Sequence, residues 1–468
     1  MARLRTTVLI ASVPLAALAA LGGAYSSSVL PLLIASAVVF LAAAPPVATR
    51  GLRLQDASLA VFLLGLALQL VPLPAPIVDA LSPHARAVAG VLLLMPPDTA
   101  TSTISLRAVY TAETLSSAAT VVLVFWAARG LLQTGGGRTV ARLFSVAGLI
   151  VALTGLAQRA TASKSLMWLW RPDDPAGLPM GPFVNRNHFA MWLVMASALT
   201  AGALATHLTH KHTTGADRFR TSVVPWLDDG ATLWLGGATA LLWLTVIASG
   251  SRGGMIALLV FNATWFALST SRTRSRRALL YATAAVGVVG LVGVWTNLDT
   301  IAGRLGPAND IARTTVWRDT LPVVRDFWLT GTGGGTYASV MVLYQKTARF
   351  VVFNEAQNEY LQLVAEGGLL LTVPLLVWLV SWGTTCVRRL RADRSAMVWL
   401  RTAALAGLAA VASQCVWDSA LRMPANALLA AVLAAIVVHE APSVRAAVAP
   451  VDDAEPDPGA RRSRPAGA

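Results

Sequence analysis

Apolar runs long enough to cross a lipid bilayer recur along this whole chain, and they limit its fold more than any other feature. The hydrocarbon core of a bilayer is about 30 Å thick, so a crossing helix needs about 20 mostly apolar residues. Only 13% of the 468 residues are charged, about half of what a soluble domain carries. An α-helix satisfies its own backbone hydrogen bonds in lipid. The sequence therefore predicts an all-α, multi-pass membrane protein.

About twelve spans are predicted, and the basic residues orient them. Arginines and lysines cluster on the connections that follow even-numbered spans, for example Arg388 to Arg394, and such connections face the cytoplasm. This places both termini in the cytoplasm and a large extracytoplasmic loop between spans 9 and 10. The predicted spans are 7–24, 28–49, 56–76, 109–130, 139–157, 187–207, 231–249, 253–269, 277–296, 367–385, 397–414 and 424–440.

The chain is expected to divide into four parts. The formal net charge of +14 is spread over short loops, which favours topogenic charge over a nucleic-acid surface, so no nucleic-acid partner is expected. Cys386 and Cys415 fall at different depths of the bilayer, so no disulfide is predicted. The parts are N-terminal transmembrane helices at 1–55, a membrane core with its extracytoplasmic loop 297–366 at 56–385, C-terminal transmembrane helices at 386–440, and a disordered cytoplasmic tail at 441–468.

The loop 297–366 carries an apolar pattern at helical spacing. Trp317, Leu321, Val324 and Trp328 predict an amphipathic helix at the membrane interface, with Arg313 one turn earlier on the same stripe. The run of glycines at 331–335 then breaks the helix. No Gly-Lys-Ser/Thr follows that run, so we interpret it as a flexible turn and not as a phosphate-binding loop.

A polar pattern follows in the same loop. Glu355, Glu359, Gln362 and Glu366 would share one face of a helix, with Asn358 at its edge. One interpretation is a solvated helix face that leads into span 10. The other is the polar wall of a site at the outer membrane surface, and spacing alone favours neither.

Arginines on the outer side are unexpected, because basic residues are usually in excess on the cytoplasmic side. They therefore indicate a functional site. Arg252 lies between two apolar spans, where an unpaired arginine is costly, so it marks either an anionic ligand or a partner carboxylate. Arg186, Asn187 and His188 lie at the outer entry to span 6, although Asn187 could simply cap that helix. Arginines and amides at a lipid surface suit a polyprenyl-linked pyrophosphate. No cluster of metal ligands lies on this side, so we expect neither a metal nor another cofactor.

Several segments together resemble the O-antigen ligase and polymerase superfamily of membrane glycosyltransferases. The resemblance implies transfer of a glycan from undecaprenyl pyrophosphate at the outer face of a bacterial inner (cytoplasmic) membrane. It implies either lipid A–core or a second lipid-linked glycan as the acceptor, and Arg252 and Arg313 as ligands of the diphosphate. The matching pieces are the Gln69-to-Pro74 run with Leu81-Ser82-Pro83, Phe183 to Ala190, Ser251 to Gly254, Arg313-x3-Trp317, Gln357 to Gln362, and Glu366-Gly367.

The sequence departs from the family at Gln357, where the family usually has a histidine that activates the acceptor. A glutamine amide has no site basic enough to accept a proton near neutral pH. Either Glu355 or Glu359 acts as the base, or Gln357 only orients the acceptor, or the enzyme is impaired. The expected substrate-binding residues are Arg252, Arg313, Arg186, Asn187, Asn358 and Glu366.

The sequence is compatible with three classes of function. The first is a glycan polymerase or ligase, with the polymerase slightly favoured because the histidine is missing. The second is a flippase for lipid-linked oligosaccharides, which would need charged residues along a central path, and few lie within the spans. The third is an inactive family member that scaffolds polysaccharide-assembly proteins, which would then be its partners alongside membrane lipid.

The predicted orientation is tested by fusing a reporter that is active only outside the cytoplasm. We expect activity when it is fused near Tyr337 and none when it is fused near Thr213, because these positions fall on opposite sides of the membrane. The reverse pattern would overturn the orientation.

Overall fold

The computed structural model describes residues 2–92, 100–172, 179–213, 229–270, 308–347 and 353–440. The predicted span 277–296 and the predicted tail 441–468 lie outside these residues, as does the beginning of the loop 297–366.

The described chain is almost entirely helical. One ladder of two-residue strands, Leu73–Pro74 (β1) against Thr101–Ser102 (β2), is the exception among the described residues, apart from isolated bridges. The α-helices, in order, are α1 Ala2–Ala19, α2 Val29–Ala43, α3 Arg53–Leu68, α4 Ala75–Leu81, α5 Ala85–Val91, α6 Ala108–Leu132, α7 Gly137–Ala160, α8 Arg186–Thr213, α9 Gly230–Ala248, α10 Arg252–Thr270, α11 Ala308–Asp326, α12 Tyr337–Tyr344, α13 Glu359–Ala392, α14 Val398–Gln414 and α15 Pro424–Val438.

Seven of the described helices are long and apolar enough to cross a membrane, namely α2 with its preceding turn, α6, α7, α8, α9, α10 and α13. Shorter apolar helices lie within α1 and at α15, and α3 and α14 coincide with two further predicted spans. The multi-pass helical class is therefore supported. The count of twelve and the orientation stay predictions.

Helix α8 lies at the centre of the bundle and packs against α7, α9 and α14. Small residues bring α8 and α14 close together. A Cβ on Gly202 would lie 2.8 Å from the Cβ of Ala403, and one on Gly407 would lie 2.8 Å from the Cβ of Ala198. Such close backbone approach is how helices associate in lipid, where the hydrophobic effect does not drive them together.

A second, smaller core lies outside the main bundle. It joins α4 and α5 to α11, α12 and the start of α13. The buried face of α11 is formed by Val316, Thr320 and Val323, and the buried Phe327 follows the last residue of the helix. The predicted stripe lies beside this face, and its members Leu321 and Trp328 are more than half exposed.

Helix α13 consists of two segments separated at Gly368, whose φ of 52° is left-handed. The amides of Leu369 and Leu370 donate to the carbonyls of Trp328 and Leu329, at 2.9 Å each. The break therefore sets a short polar segment, Glu359 to Gly367, apart from the apolar segment that follows it.

Arg129 forms a buried ion pair that joins α6 to α3. It lies in α6 with 1% of its surface exposed, and it pairs with Asp56 of α3 through two hydrogen bonds of 2.7 and 2.8 Å. The indole of Trp126 donates to the same carboxylate at 2.9 Å. A sequence pattern cannot distinguish such a buried pair from a loop arginine.

We expect Asp56→Asn to lower the free energy of unfolding by about 3–5 kcal/mol, because it leaves Arg129 buried with its charge uncompensated. Thermal unfolding of the purified protein in detergent measures this. The matched control is Asp79→Asn, which removes an exposed pair with Arg86 and should cost less than about 1 kcal/mol. Equal losses in the two variants would contradict a structural role for the buried pair.

Candidate active site

Four segments that are distant in sequence meet at one end of the bundle. They are the start of α8, the turn before α10, residues 353–366, and the connection 414–422 between α14 and α15. Gln414 Nε2 donates to the carbonyl of Asn187 at 3.0 Å, across a separation of 227 residues. The amide of Glu359 donates to the carbonyl of Cys415 at 2.9 Å. These bonds join three of the segments, and Ser251 Oγ joins the turn before α10 to them by donating to Asn187 Oδ1 at 2.8 Å.

Arg422 ties the connection to α13 through two glutamates. Its Nη2 lies 2.6 Å from Glu366 Oε2, its Nε lies 3.7 Å from Glu359 Oε2, and its backbone amide donates to Glu359 Oε1 at 3.2 Å. Burial alone would lower the pKa of the Arg422 guanidinium, but the carboxylates of Glu366 and Glu359 outweigh it and raise this pKa. Arg422 therefore stays charged.

Glu366 is 4% exposed, and both of its carboxylate oxygens have partners within the protein. Its Oε1 accepts from the amide of Tyr337 at 3.0 Å and from Gln362 Nε2 at 3.3 Å, while Oε2 faces Arg422. Gln362, which is 1% exposed, accepts in turn from the amide of Ala356 at 3.0 Å. The interpretation of this pattern as a solvated helix face is therefore wrong for Gln362 and Glu366, which belong to an interior polar wall.

The glycine run 331–335 is also not the flexible turn that the sequence suggested. Gly331 to Gly334 are buried, and Gly333 donates to the carbonyl of Glu366 at 3.0 Å. Gln69, from the sequence motif near α3, fixes the run from the other side. Its Nε2 donates to the carbonyls of Thr330 and Glu366, and its Oε1 accepts from the amide of Gly334. Long-range hydrogen bonds thus hold the run in place.

Glu355 and Gln357 precede α13, so Glu355 does not continue the helical stripe. Gln357 has a left-handed φ of 53°, which is uncommon for a non-glycine residue and is often found at functional sites. Its Nε2 lies 3.4 Å from Glu355 Oε2, at the outer limit of a hydrogen bond. The half-buried Glu355 carboxylate is therefore held only loosely.

The charges around Glu355 have opposing effects on its protonation. Burial raises the pKa of the Glu355 carboxyl above its usual range. The positive charges of His188 and Arg422 oppose this increase, and the carboxylates of Asp418 and Glu366 add to it. A carboxyl whose pKa is moved toward neutral pH is suited to exchange protons with a substrate.

Arg186 and Arg252 are the first residues of two helices whose N-termini adjoin, α8 and α10. Ser251 Oγ donates to Asn187 Oδ1 at 2.8 Å and accepts from the amide of Gly254 at 3.0 Å. Asn187 therefore links the two helices and does not cap α8, since Asn185 Oδ1 accepts from the amide of Asn187. Two adjacent helix N-termini that both begin with arginine favour the binding of an anion, because helix N-termini and guanidinium groups are both positive.

Arg313 lies on α11, which contacts the segment that carries Glu355, and Asn358 follows that segment. Arg313 precedes Trp317 by one helical turn, and the Trp317 indole donates to the carbonyl of Ala356 at 3.0 Å. Asn358 caps α13 by accepting from the amide of Leu361 at 3.0 Å. It also lines a shallow groove of about 390 Å³ together with Thr314, Trp317, Arg318, Leu321 and Leu361.

Sequence reasoning missed the roles of Arg422, Asp418 and Gln414. Arg422 was recognisable only as one of many outward arginines, because its partners lie 56 and 63 residues earlier. Cys386 and Cys415 are free, as predicted, and both are buried. In the described ranges, no group of three histidine, cysteine or acidic side chains is arranged to hold a metal ion.

The apolar helices and this charged site at one end of the bundle define a multi-pass membrane protein with a polar site. A family model described as O-antigen ligase matches residues 237–376, which include Arg252, Arg313 and Glu355 to Glu366. The match supports placing the chain in the O-antigen ligase and polymerase superfamily, and so supports a membrane glycan ligase or polymerase in general. A search among curated proteins gave no match.

The packed glycine run is tested by Gly331→Ala. A Cβ there would lie 2.2 Å from the carbonyl carbon and oxygen of Glu366, and the φ of 69° is left-handed. We expect a loss of at least about 1–2 kcal/mol from the backbone alone, measured by thermal unfolding in detergent. The control is Gly236→Ala in α9, where a Cβ meets no described atom within 4 Å. Equal stability of both variants would contradict the packing described above.

Proposed function

We propose that this protein is a metal-independent membrane glycosyltransferase that transfers or polymerises a surface glycan from undecaprenyl pyrophosphate. The reaction takes place on the extracytoplasmic face of a bacterial inner membrane. The observation that carries the proposal is the arrangement of a loosely held, half-buried carboxylate, Glu355, in the same polar site as two helix N-termini that begin with arginine.

The reaction needs a base and a site for a diphosphate. An acceptor hydroxyl attacks the anomeric carbon of the donor sugar, a new C–O bond forms, and the bond from that carbon to the diphosphate oxygen breaks. The lipid diphosphate leaves with the bonding electron pair, and the hydroxyl proton passes to Glu355. Positive groups already in position stabilise the charge that develops on the leaving group.

We assign the base to Glu355 rather than to Glu359. Both oxygens of Glu359 face Arg422, at 3.2 Å from its amide and 3.7 Å from its Nε. Glu355 has only the long contact with Gln357 among the hydrogen bonds described for its side chain. Gln357 then orients the acceptor through its amide, and Glu359 holds Arg422 in position.

Arg252, Arg313 and Arg186 would bind the diphosphate, because guanidinium groups form paired hydrogen bonds with phosphate oxygens. We also assign Asn187 and Asn358 to substrate binding. The side-chain oxygens of both residues already accept hydrogen bonds within the protein. Glu366 is enclosed by Arg422, Tyr337 and Gln362, so we assign it a positioning role.

The acceptor is either lipid A–core, as for a ligase, or a second lipid-linked repeat unit, as for a polymerase. The absent histidine at Gln357 slightly favours the polymerase. The alternatives are a flippase and an inactive scaffold for polysaccharide-assembly proteins. Burial raises the pKa of the Glu355 and Glu359 carboxyls, and raised pKa values in one polar site favour an active enzyme over the scaffold.

We expect Glu355→Gln to reduce glycan transfer by about 100-fold or more, because general bases contribute about 10²–10⁴-fold. Gln357→Ala should reduce transfer less, through weaker positioning of the acceptor. Gln357→His should keep or raise activity, because histidine tolerates a left-handed backbone and can accept a proton. The measurement is gel analysis of surface glycans in a deletion strain that expresses each variant.

The matched control is Glu440→Gln, the same chemical change at an exposed position beyond the far end of α15, which should leave transfer unchanged. Immunoblots must show equal amounts of each variant in the membrane. Normal transfer by Glu355→Gln together with none by Gln357→Ala would show that the carboxylate is not the base.

A further inference from the structure

A cavity of about 500 Å³ adjoins the smaller core, bounded by α5, the segment 103–107 and the first turn of α6. None of the residues that line it belongs to the candidate active site. Its volume falls within the range of about 300–1,000 Å³ that is typical of small-ligand sites. Helix α5 contributes Ala85 and Ala89, one turn apart, and their small side chains leave the space open.

Hydrogen bonds hold the polar wall of the cavity in place. Thr103 Oγ1 donates to the carbonyl of Ser105 at 2.7 Å, and Ser105 Oγ lies 2.7 Å from Thr111 Oγ1. The amide of Leu106 donates to the carbonyl of Thr332, in the glycine run, at 2.9 Å. The cavity is therefore preformed, and a ligand can bind there without ordering the backbone around it.

Two arginines line the cavity, and one of them gives it a net positive charge. Arg86 pairs with Asp79, whose Oδ2 lies 2.9 Å from Arg86 Nη1. The guanidinium of Arg107 lies over the ring of Tyr110, 5.4 Å from the ring centroid. In the described ranges, no carboxylate pairs with Arg107. Stacking uses the face of the guanidinium and leaves the N–H groups at its edge to donate to an anion.

The cavity lies where a candidate membrane span begins. Helix α6 is long and apolar enough to cross a membrane, and Ala108, Val109 and Tyr110 of its first turn line the cavity. Val109 is 70% exposed and Tyr110 is 41% exposed. Tyrosines at the ends of spans mark the level of the lipid headgroups. The exposed rim of the cavity is therefore at the depth where headgroups meet acyl chains.

We propose that this cavity binds the anionic headgroup of a phospholipid, with its phosphate on Arg107 and its acyl chains along the exposed face of α6. Basic pockets beside transmembrane helices bind such headgroups. An acidic sugar carries a similar anionic group, but the exposed Val109 at the rim favours a ligand that also has apolar chains. The inference goes beyond the proposed function and does not depend on it, because no residue assigned to glycan transfer lines the cavity.

The test uses the full-length protein purified in detergent, with phosphatidylglycerol as the probe and native mass spectrometry to measure bound lipid. We expect the native protein to bind phosphatidylglycerol more tightly than the zwitterionic phosphatidylethanolamine. Arg107→Gln should weaken the binding of phosphatidylglycerol by about 10-fold or more, because a charge-assisted hydrogen bond is lost. The matched control is Arg325→Gln on α11, whose side chain is 79% exposed and lies outside the cavity. It should bind like the native protein.

A second variant, Ala108→Glu, tests the same site without removing a side-chain contact. A glutamate in the first turn of a helix is favourable, so α6 should form as in the native protein. Its negative charge beside Arg107 repels the headgroup, and we expect a loss of binding similar to that of Arg107→Gln. Thermal unfolding shows that each variant is folded.

Two outcomes would overturn the proposal. One is equal binding of phosphatidylglycerol by the native protein and both variants, which would place the lipid elsewhere on the bundle. The other is stabilisation by inorganic phosphate or glucuronate that depends on Arg107, with none by phosphatidylglycerol. The cavity would then take a soluble anion and not a lipid.

Discussion

The site depends on the link between Arg422 and the polar segment of α13. Glu366 is almost fully buried, and its oxygens bind Arg422, the amide of Tyr337 and Gln362. Removing one partner of such a pair leaves an uncompensated buried charge, which costs far more than an exposed pair. The link joins the connection between α14 and α15 to the segment that carries Glu355. The backbone carbonyl of Glu366 also accepts from the amide of Gly333, so this residue is one of the points at which the smaller core contacts the main bundle.

The elements could be predicted from the sequence because each depends on a local pattern. Eleven of the twelve predicted spans coincide with described helices, and the twelfth lies outside the described residues. The residues at which the helices end were predicted less accurately. Helix α3 ends at Leu68, short of the predicted end at 76, because the chain turns at Gln69 and continues into Pro72 and Pro74. Apolar length predicts that a helix exists, whereas turns and caps decide where it ends.

The assembled site could not be predicted, because its contacts join residues far apart in sequence. Arg252, Asn187 and Glu355 were each recognisable as unusual, yet no pattern indicated that Gln414, Asp418 and Arg422 lie among them. The same reason explains the errors. The glycine run resembled a flexible turn because Gln69, which fixes it, lies 265 residues from Gly334. Likewise, the burial of Arg129 could not be predicted because its partner Asp56 lies 73 residues away on another helix. Burial of a polar group is decided by such partners and not by its own neighbourhood in the sequence.

The central claim is that this site uses a lipid pyrophosphate as the donor of a glycan. The most direct measurement is the amount and size of glycan that remains attached to the lipid carrier after the gene is deleted, determined by mass spectrometry of extracted lipids. We expect lipid-linked glycan to accumulate, as single repeat units if the protein is a polymerase and as long chains if it is a ligase. An unchanged lipid-linked pool, with unchanged surface glycans, would contradict the account.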